Sequence, residues 1–209
     1  VTSNKTALVL GATGLVGRAL VRCLLLDPRY VQITCLVRRP IPFAFFSDPL
    51  KKLTPVVIDF ENLQDYQGYF NVDHVYCCLG TTLKKAGNKE AFRKVDFEYV
   101  HVCAQLARAQ RCQGFVWISS VGADANSNNF YLRVKGQLEN AIMSMPQLQH
   151  AAAVRPSLLL GKREEKRPLE QFGQYVAPVV GMFMPGPLAK FKPVSAVEVA
   201  NQMVRLQHF

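Results

Sequence analysis

The stretch "TALVLGATGLVGRAL", residues 6–20, passes from an apolar segment into three spaced glycines and then into a helical pattern. Gly11, Gly14 and Gly17 form G-x-x-G-x-x-G at a strand-to-helix turn, a variant of the dinucleotide fingerprint. Gly11 permits the tight turn, and the small Ala12-Thr13-Gly14 run lets backbone N–H groups approach a pyrophosphate. Gly17 allows the helix to pack close to the sheet, and the helix N-terminus favours an anion. A glycine-rich turn without a ligand is the plain alternative. Its position directly after a first strand favours a nucleotide.

The rest of the chain repeats this strand-then-helix plan. "QITCLV" (32–37), "PVVID" (55–59), "HVYCCLG" (74–80), "GFVWISS" (114–120) and "HAAAVRP" (150–156) read as further strands. Their nearly continuous apolar runs suit a sheet covered on both faces. Between them, Val16, Ala19, Leu20, Cys23 and Leu24 recur at helical spacing, as do Val95, Tyr99, Val102, Leu106 and Ala109. Tyr131, Val134, Lys135, Leu138, Ala141 and Ile142 do the same, and "SAVE" at 195–198 has capping-box form. The pattern predicts an α/β fold: a doubly wound parallel sheet (Rossmann fold) with right-handed crossovers. At 209 residues the whole chain, 1–209, suits a single domain. Residues 157–194, rich in Pro, Gly, Phe and Met, are expected to form a small C-terminal lid over the substrate.

The strand ends select among nucleotides. "CLVRRP" places Arg38 and Arg39 after the second strand, where an NAD-preferring site usually carries an acid. Two guanidinium groups suit a 2′-phosphate through charge and a planar donor fork, so NADPH (NADP+) is favoured over NADH. A solvated basic turn is the other reading. After the third strand, Asp59 would hydrogen-bond the adenine amino group and Phe60 would cover the ring edge. After the fourth, "CCLGTT" sets Leu79, Gly80, Thr81 and Thr82 beside the cofactor ribose. The loop "RPIPFAFFSDPL" either packs over the adenine end or buries its own aromatics.

Composition narrows the partners. The formal charge of +10 raises nucleic acid, but the basic residues are scattered, and the densest cluster, "KREEKR" at 162–167, carries two glutamates. Without a zinc-finger, RNA-recognition or basic-zipper signature, nucleic acid is the lesser reading; phosphate-bearing small molecules also attract positive charge. No run approaches the ~18–20 apolar residues of a membrane span. The six cysteines lack C-x-x-C spacing and mostly fall in apolar patterns, and the four histidines suggest no ligand set. A reducing cytoplasm without a structural metal is expected, and oligomers remain open.

In "NFYLRVKGQLEN" (129–140), Tyr131 and Lys135 stand one helical turn apart. The preceding strand ends in "WISSVGAD", and in such a sheet a strand end and the next helix meet at the ligand crevice. Lys135 would bond the nicotinamide ribose and favour the tyrosine phenolate through its charge. Tyr131 would then protonate a substrate carbonyl as hydride arrives, with Ser120 or Ser119 orienting the oxygen. Taken singly, each is an ordinary helix-edge or turn residue; behind a dinucleotide loop the set reads as a site.

"GATGLVG", "CLGTT", "SSVGAD", the Tyr131/Lys135 pair and "VRPSLLLGKREEKR", in that order, resemble an atypical short-chain dehydrogenase/reductase. They look most like the Tat-interacting oxidoreductase group and its bacterial relatives, over roughly residues 6–205. The resemblance implies that Thr13, Gly14, Leu15 and Val16 bind the pyrophosphate and that Arg38 and Arg39 hold the NADPH phosphate. It also implies cofactor contacts from Leu79, Gly80, Leu159 and Arg167, with Tyr131 the proton donor assisted by Lys135. Two functions follow as expectations: an NADPH-dependent oxidoreductase acting on a small carbonyl or related acceptor, or an NADPH-sensing module that turns over little and answers to a protein partner.

Overall fold

A strand whose alternate residues face opposite ways, with both sets apolar, must be covered twice. β1 (Lys5–Leu10) sends Ala7 and Val9 into one core and Leu8 and Leu10 into another, one on each face of the sheet. The computed structural model describes residues 4–148, 150–157, 159–160 and 193–207, without the side chains of Phe43 and Leu160.

The other strands of this sheet are β2 (Tyr30–Val37), β3 (Leu53–Val57), β4 (His74–Cys77), β5 (Gly114–Ile118) and β6 (Ala151–Val154). All six are parallel, in the order β3-β2-β1-β4-β5-β6. The order reverses between β1 and β4, and at such a switch point a crevice opens beyond the carboxyl ends of the strands. A short parallel pair, β7 (Leu159–Leu160) and β8 (Val194–Ser195), lies outside the main ladder.

Among the described residues the α-helices are α1 (Leu15–Leu26), α2 (Leu83–Ala86), α3 (Lys89–Arg93), α4 (Val100–Ala109), α5 (Phe130–Met143) and α6 (Ala196–Arg205). Val16, Leu20 and Leu24 of α1 join Val199 and Met203 of α6 in one core. Val100, Cys103 and Ala107 of α4 and Leu138 and Ile142 of α5 pack in the other. α6 starts with the expected capping box, the Ser195 side chain accepting from the Glu198 N–H while the Glu198 carboxylate accepts from the Ser195 N–H. Among the described residues no helix is long and apolar enough to cross a membrane. All six cysteines are free, and Cys35, Cys77, Cys103 and Cys112 are buried.

Several sequence expectations shift: the third strand, expected at 55–59, spans Leu53–Val57, and the sixth, expected at 150–156, spans Ala151–Val154. The fourth and fifth strands end at Cys77 and Ile118, short of the expected 80 and 120; the Cys78 and Ser119 N–H groups still bond the Leu10 and Val154 carbonyls, and the chain beyond them lines the crevice. The helical reading of 95–109 stands and Leu106 is buried as expected, but the rest of the buried face is Asp96, Val100, Cys103, Ala104 and Ala107, while Ala109 is exposed. A π-helical segment, Lys94–Tyr99, joins α3 to α4. Its wider turns break the 3.6-residue period on which the face was read. The loop after β2 buries its own aromatics: Phe46 enters the core with Phe45 edge-on at 4.9 Å, and the Arg18 guanidinium lies 4.5 Å from the Phe45 ring centre.

Candidate functional site

A cavity of about 660 Å³ occupies the crevice at the switch point. One wall is the glycine turn and α1, from Thr13 to Val16 with Arg18 and Arg22 on the next turns. A second is the loop Cys78–Thr82 with Lys85 of α2. The floor is Asp96, Lys135 and the end of β5, and Tyr131, Pro156, Ser157, Leu159 and the start of α6 also line the cavity.

The glycine turn is tight for identifiable reasons. Gly11 has φ +79°, and a methyl group there would stand 2.6 Å from the Cys78 carbonyl carbon. One on Gly17 would stand 2.1 Å from the Gly11 carbonyl oxygen. Gly14 is different: nothing crowds it closer than 3.4 Å, and it forms the N-cap of α1. That helix has neither a side-chain cap nor an acidic residue in its first turn. Its first N–H groups and positive dipole end are therefore open to an anion in the cavity.

On the floor, Lys135 Nζ stands 2.8 Å from Asp96 Oδ1 and donates to the Ile118 carbonyl at 3.4 Å. The two side chains are 3% and 1% exposed. Asp96 Oδ2 accepts from the Thr81 N–H at 2.7 Å, which ties the pair to the loop after β4. Burial opposes the charge on Lys135, but the Asp96 carboxylate, and after it Tyr131, more than offset this and hold the ammonium above its ordinary range. Tyr131 is half-buried, its ring 5.7 Å from that of Phe92.

The two serines differ. Ser119 is 2% exposed, lines the cavity, and its hydroxyl finds no hydrogen-bond partner among the described residues. Ser120 also lines the cavity, but its hydroxyl donates to the Val121 carbonyl at 3.2 Å.

The structure thus brings Thr13, Gly14, Leu15, Val16, Leu79, Gly80, Thr81, Ser119, Ser120, Tyr131, Lys135 and Leu159 to one cavity, with Gly11 and Gly17 shaping its wall. Arg38 and Arg39 are exposed just beyond β2 and do not line it. Asp59 caps the 3₁₀ segment Phe60–Phe70, accepting from the Glu61 N–H and the Asn62 amide. Phe60 is buried in the core, 5.9 Å from the Tyr99 ring. Arg167, and most of the expected lid, lie outside the described residues. Sequence reasoning missed Asp96, Arg18, Arg22 and Lys85. The signal for Asp96 was available: a carboxylate between Phe92 and Val100 on a stripe otherwise apolar.

A family described as NAD(P)H-binding matches residues 11–169. The chain is 34% identical over 202 residues to Protein HTATIP2 of Rattus norvegicus, covering 96% of this chain and 80% of that protein. It is 33% identical over 195 residues to "Protein FMP52, mitochondrial" of Candida albicans, covering 92% and 83%. Among solved structures, the Bordetella bronchiseptica enzyme WbmH in complex with NAD+ superposes with a TM-score of 0.70 at 16% identity, covering 97% of this chain and 71% of that one. MoeE5 in complex with UDP-glucose and NAD gives 0.64 at 16%, covering 83% of this chain, which spans 60% of MoeE5.

Proposed function

The chain belongs to the NAD(P)H-binding family, and from that premise we propose that it is an NADPH-dependent oxidoreductase of the atypical short-chain dehydrogenase/reductase type, acting on a small carbonyl or related acceptor. The observation that carries this reading is the meeting of Ser119, Tyr131 and Lys135 in the cavity that also holds the open N-terminus of α1.

The residues present fit a dinucleotide. Gly14 and the first turn of α1 would take the pyrophosphate, with Arg18 and Arg22 adding positive charge beside it. Leu79 and Gly80 would flank the ribose, and Lys135 would reach its hydroxyls. Arg38 and Arg39, outside the cavity at the end of β2, would meet a 2′-phosphate. When bound, the cofactor supplies hydride.

The chain's own groups handle the proton. The Ser119 hydroxyl donates a hydrogen bond to the acceptor oxygen and so gains the partner it lacks. Tyr131 gives its phenolic proton to that oxygen, and the fixed charge of Lys135 one turn away stabilises the phenolate left behind. Solvent then returns the proton to Tyr131. Pro156 and Leu159 give the substrate end an apolar lining.

The test is NADPH binding by fluorescence, followed by NADPH oxidation with a panel of aldehydes, ketones and quinones. Turnover that Tyr131→Phe abolishes, while cofactor binding persists, supports the reading. Absence of NADPH binding overturns it; binding without turnover on any acceptor shifts the assignment to cofactor sensing.

A further inference from the structure

The cations on the cavity wall exceed what a pyrophosphate takes up. Among the described residues five charged side chains line the cavity: Arg18, Arg22, Lys85, Asp96 and Lys135. Asp96 and Lys135 are closed on each other at 2.8 Å on the floor, which leaves three cations. Arg18 and Arg22 stand on α1, beside the helix end that suits the two charges of a pyrophosphate. Lys85 stands on the other wall, on α2. The Thr82 hydroxyl accepts from the Lys85 N–H at 3.2 Å, and the Gly87 N–H donates to the Leu83 carbonyl at 3.0 Å, so the backbone carrying this lysine is tied at both ends. Residues 82–94 hold five basic side chains and one acid, Glu90. Of these, Lys94 pairs with Glu61 and Arg93 bonds the Gln137 amide oxygen, whereas Lys84, Lys85 and Lys89 are exposed. Lys89 Nζ lies 5.4 Å from the ring centre of Phe130, the neighbour of Tyr131, so this positive stretch borders the Tyr131 side of the site. Such a rim concentrates anions at the opening.

We propose that the acceptor is an oxo acid, whose carboxylate is held by Lys85 while its carbonyl oxygen meets Ser119 and Tyr131. The proposal rests on the oxidoreductase reading above and names its substrate class. The carbonyl carbon takes the hydride of NADPH and its oxygen takes the Tyr131 proton. The products are the hydroxy acid and NADP+, and the carboxylate is unchanged. One remaining cation matches the single charge of a carboxylate better than the nearly double charge of a phosphate monoester. Lys135 does not fill this role, because Asp96 and the Ile118 carbonyl already take its ammonium. Lys85 touches no reacting atom. It sets specificity, as a point charge on a flexible stem.

Three probes, phenylglyoxylate, 4-oxobutanoate and 4-carboxybenzaldehyde, each beside its methyl ester, vary the span from carbonyl to carboxylate. With saturating NADPH and low salt, at least one acid should show a KM about fivefold or more below that of its ester. Added salt should shrink that advantage, because Lys85 is exposed. Lys85→Met should raise the KM of the favoured acid by about fivefold and erase the advantage, and Lys85→Arg should keep most of it. NADPH affinity should hold within about threefold in Lys85→Met; a loss as large as that for the acid would make Lys85 a ligand of the cofactor and overturn the proposal. Where turnover is too slow to follow, the same pairs are titrated by calorimetry into the NADP+-bound protein, with the same pattern expected in Kd. A parent that binds none of the acids, that takes acid and ester alike, or whose acid preference survives Lys85→Met overturns the proposal. The oxidoreductase reading fails on different measurements: NADPH that does not bind, or turnover that Tyr131→Phe leaves intact.

Discussion

Gly136 lies directly against Asp124: a methyl group on this glycine would stand 2.2 Å from the Asp124 carbonyl carbon and equally close to the Ala125 nitrogen. The turn after β5, "VGAD", is thereby pressed onto α5 one residue beyond Lys135, and the Asp124 N–H donates to the Leu132 carbonyl at 3.2 Å. This contact sets the distance between the serine-bearing strand end and the Tyr131/Lys135 helix.

Gly136→Ala should therefore destabilise despite the better helix propensity of alanine. Propensity favours Ala by about 1 kcal/mol, whereas an overlap with backbone, which cannot rotate away, costs about 1–3 kcal/mol and forces the elements apart. A thermal midpoint lowered by a few degrees is expected, with kcat reduced more than stability implies. A shift of about 1 Å at the floor misaligns Tyr131 and Ser119 and can cost on the order of 10²-fold in rate. A variant of unchanged midpoint and activity would show that the contact does not set the site.

The serines offer a sharper test, because their hydroxyls differ in what they already bond. Ser119→Ala removes a buried hydroxyl with no partner among the described residues, so stability should hold or rise by about 1 kcal/mol. Turnover should fall on the order of 10²-fold if that hydroxyl orients the acceptor oxygen. Ser120→Ala, which loses only the bond to the Val121 carbonyl, should leave turnover within about threefold. Thermal midpoints and steady-state kinetics on both variants decide; the reverse pattern would make Ser120 the orienting group.

Cofactor choice should reside in Arg38 and Arg39. Both are exposed, so their contribution is screened and falls with salt. Replacing both with alanine should weaken NADPH binding by about tenfold at low ionic strength and leave NADH binding nearly unchanged. Titrations of the two cofactors at low and high salt provide the check. Equal losses for both would place the discrimination elsewhere, with Arg18 and Arg22 the nearest candidates.

The sheet was legible because each strand has to satisfy two faces at once. Leu8 and Leu10 on one side and Ala7 and Val9 on the other make the β1 run apolar throughout, a pattern few surface segments share. The glycine turn was legible because its constraints are steric and local. The floor was less so. Lys135 was read from its spacing to Tyr131, but its partner lies 39 positions earlier on a π-helical segment whose wide turns break the period used to read a helical face. Asp59 and Phe60 show the converse. Residues placed by order along the strand ends can be engaged by local structure, one as a cap and the other as core.

The acidic network at the opposite edge of the sheet should govern stability without touching the cavity. Asp73, just before β4, accepts from the Thr6 N–H and hydroxyl, both at 2.8 Å, and from the Gln113 amide at 2.9 Å, with Lys5 Nζ 3.6 Å away. It thus joins the starts of β1, β4 and β5. Burial opposes its ionisation, but the Thr6 hydrogen bonds and the charges of Lys5 and His74 prevail and hold its carboxyl below the usual carboxylate range. A depressed carboxylate contributes stability that is present above its unfolded value, about 3.9, and is lost as pH falls through the lower folded value. The unsubstituted protein should therefore lose stability from this group only below about pH 4, at no more than about 1.4 kcal/mol per pH unit. Asp73→Asn should lower the urea midpoint at pH 7 and flatten the acid limb, with kcat within about twofold of the parent. Urea unfolding from pH 7 down to 3 measures both. An unchanged acid limb would mean that Asp73 is not a principal titrating group of the fold, whereas a collapse of kcat would show that this edge and the cavity are coupled through β4.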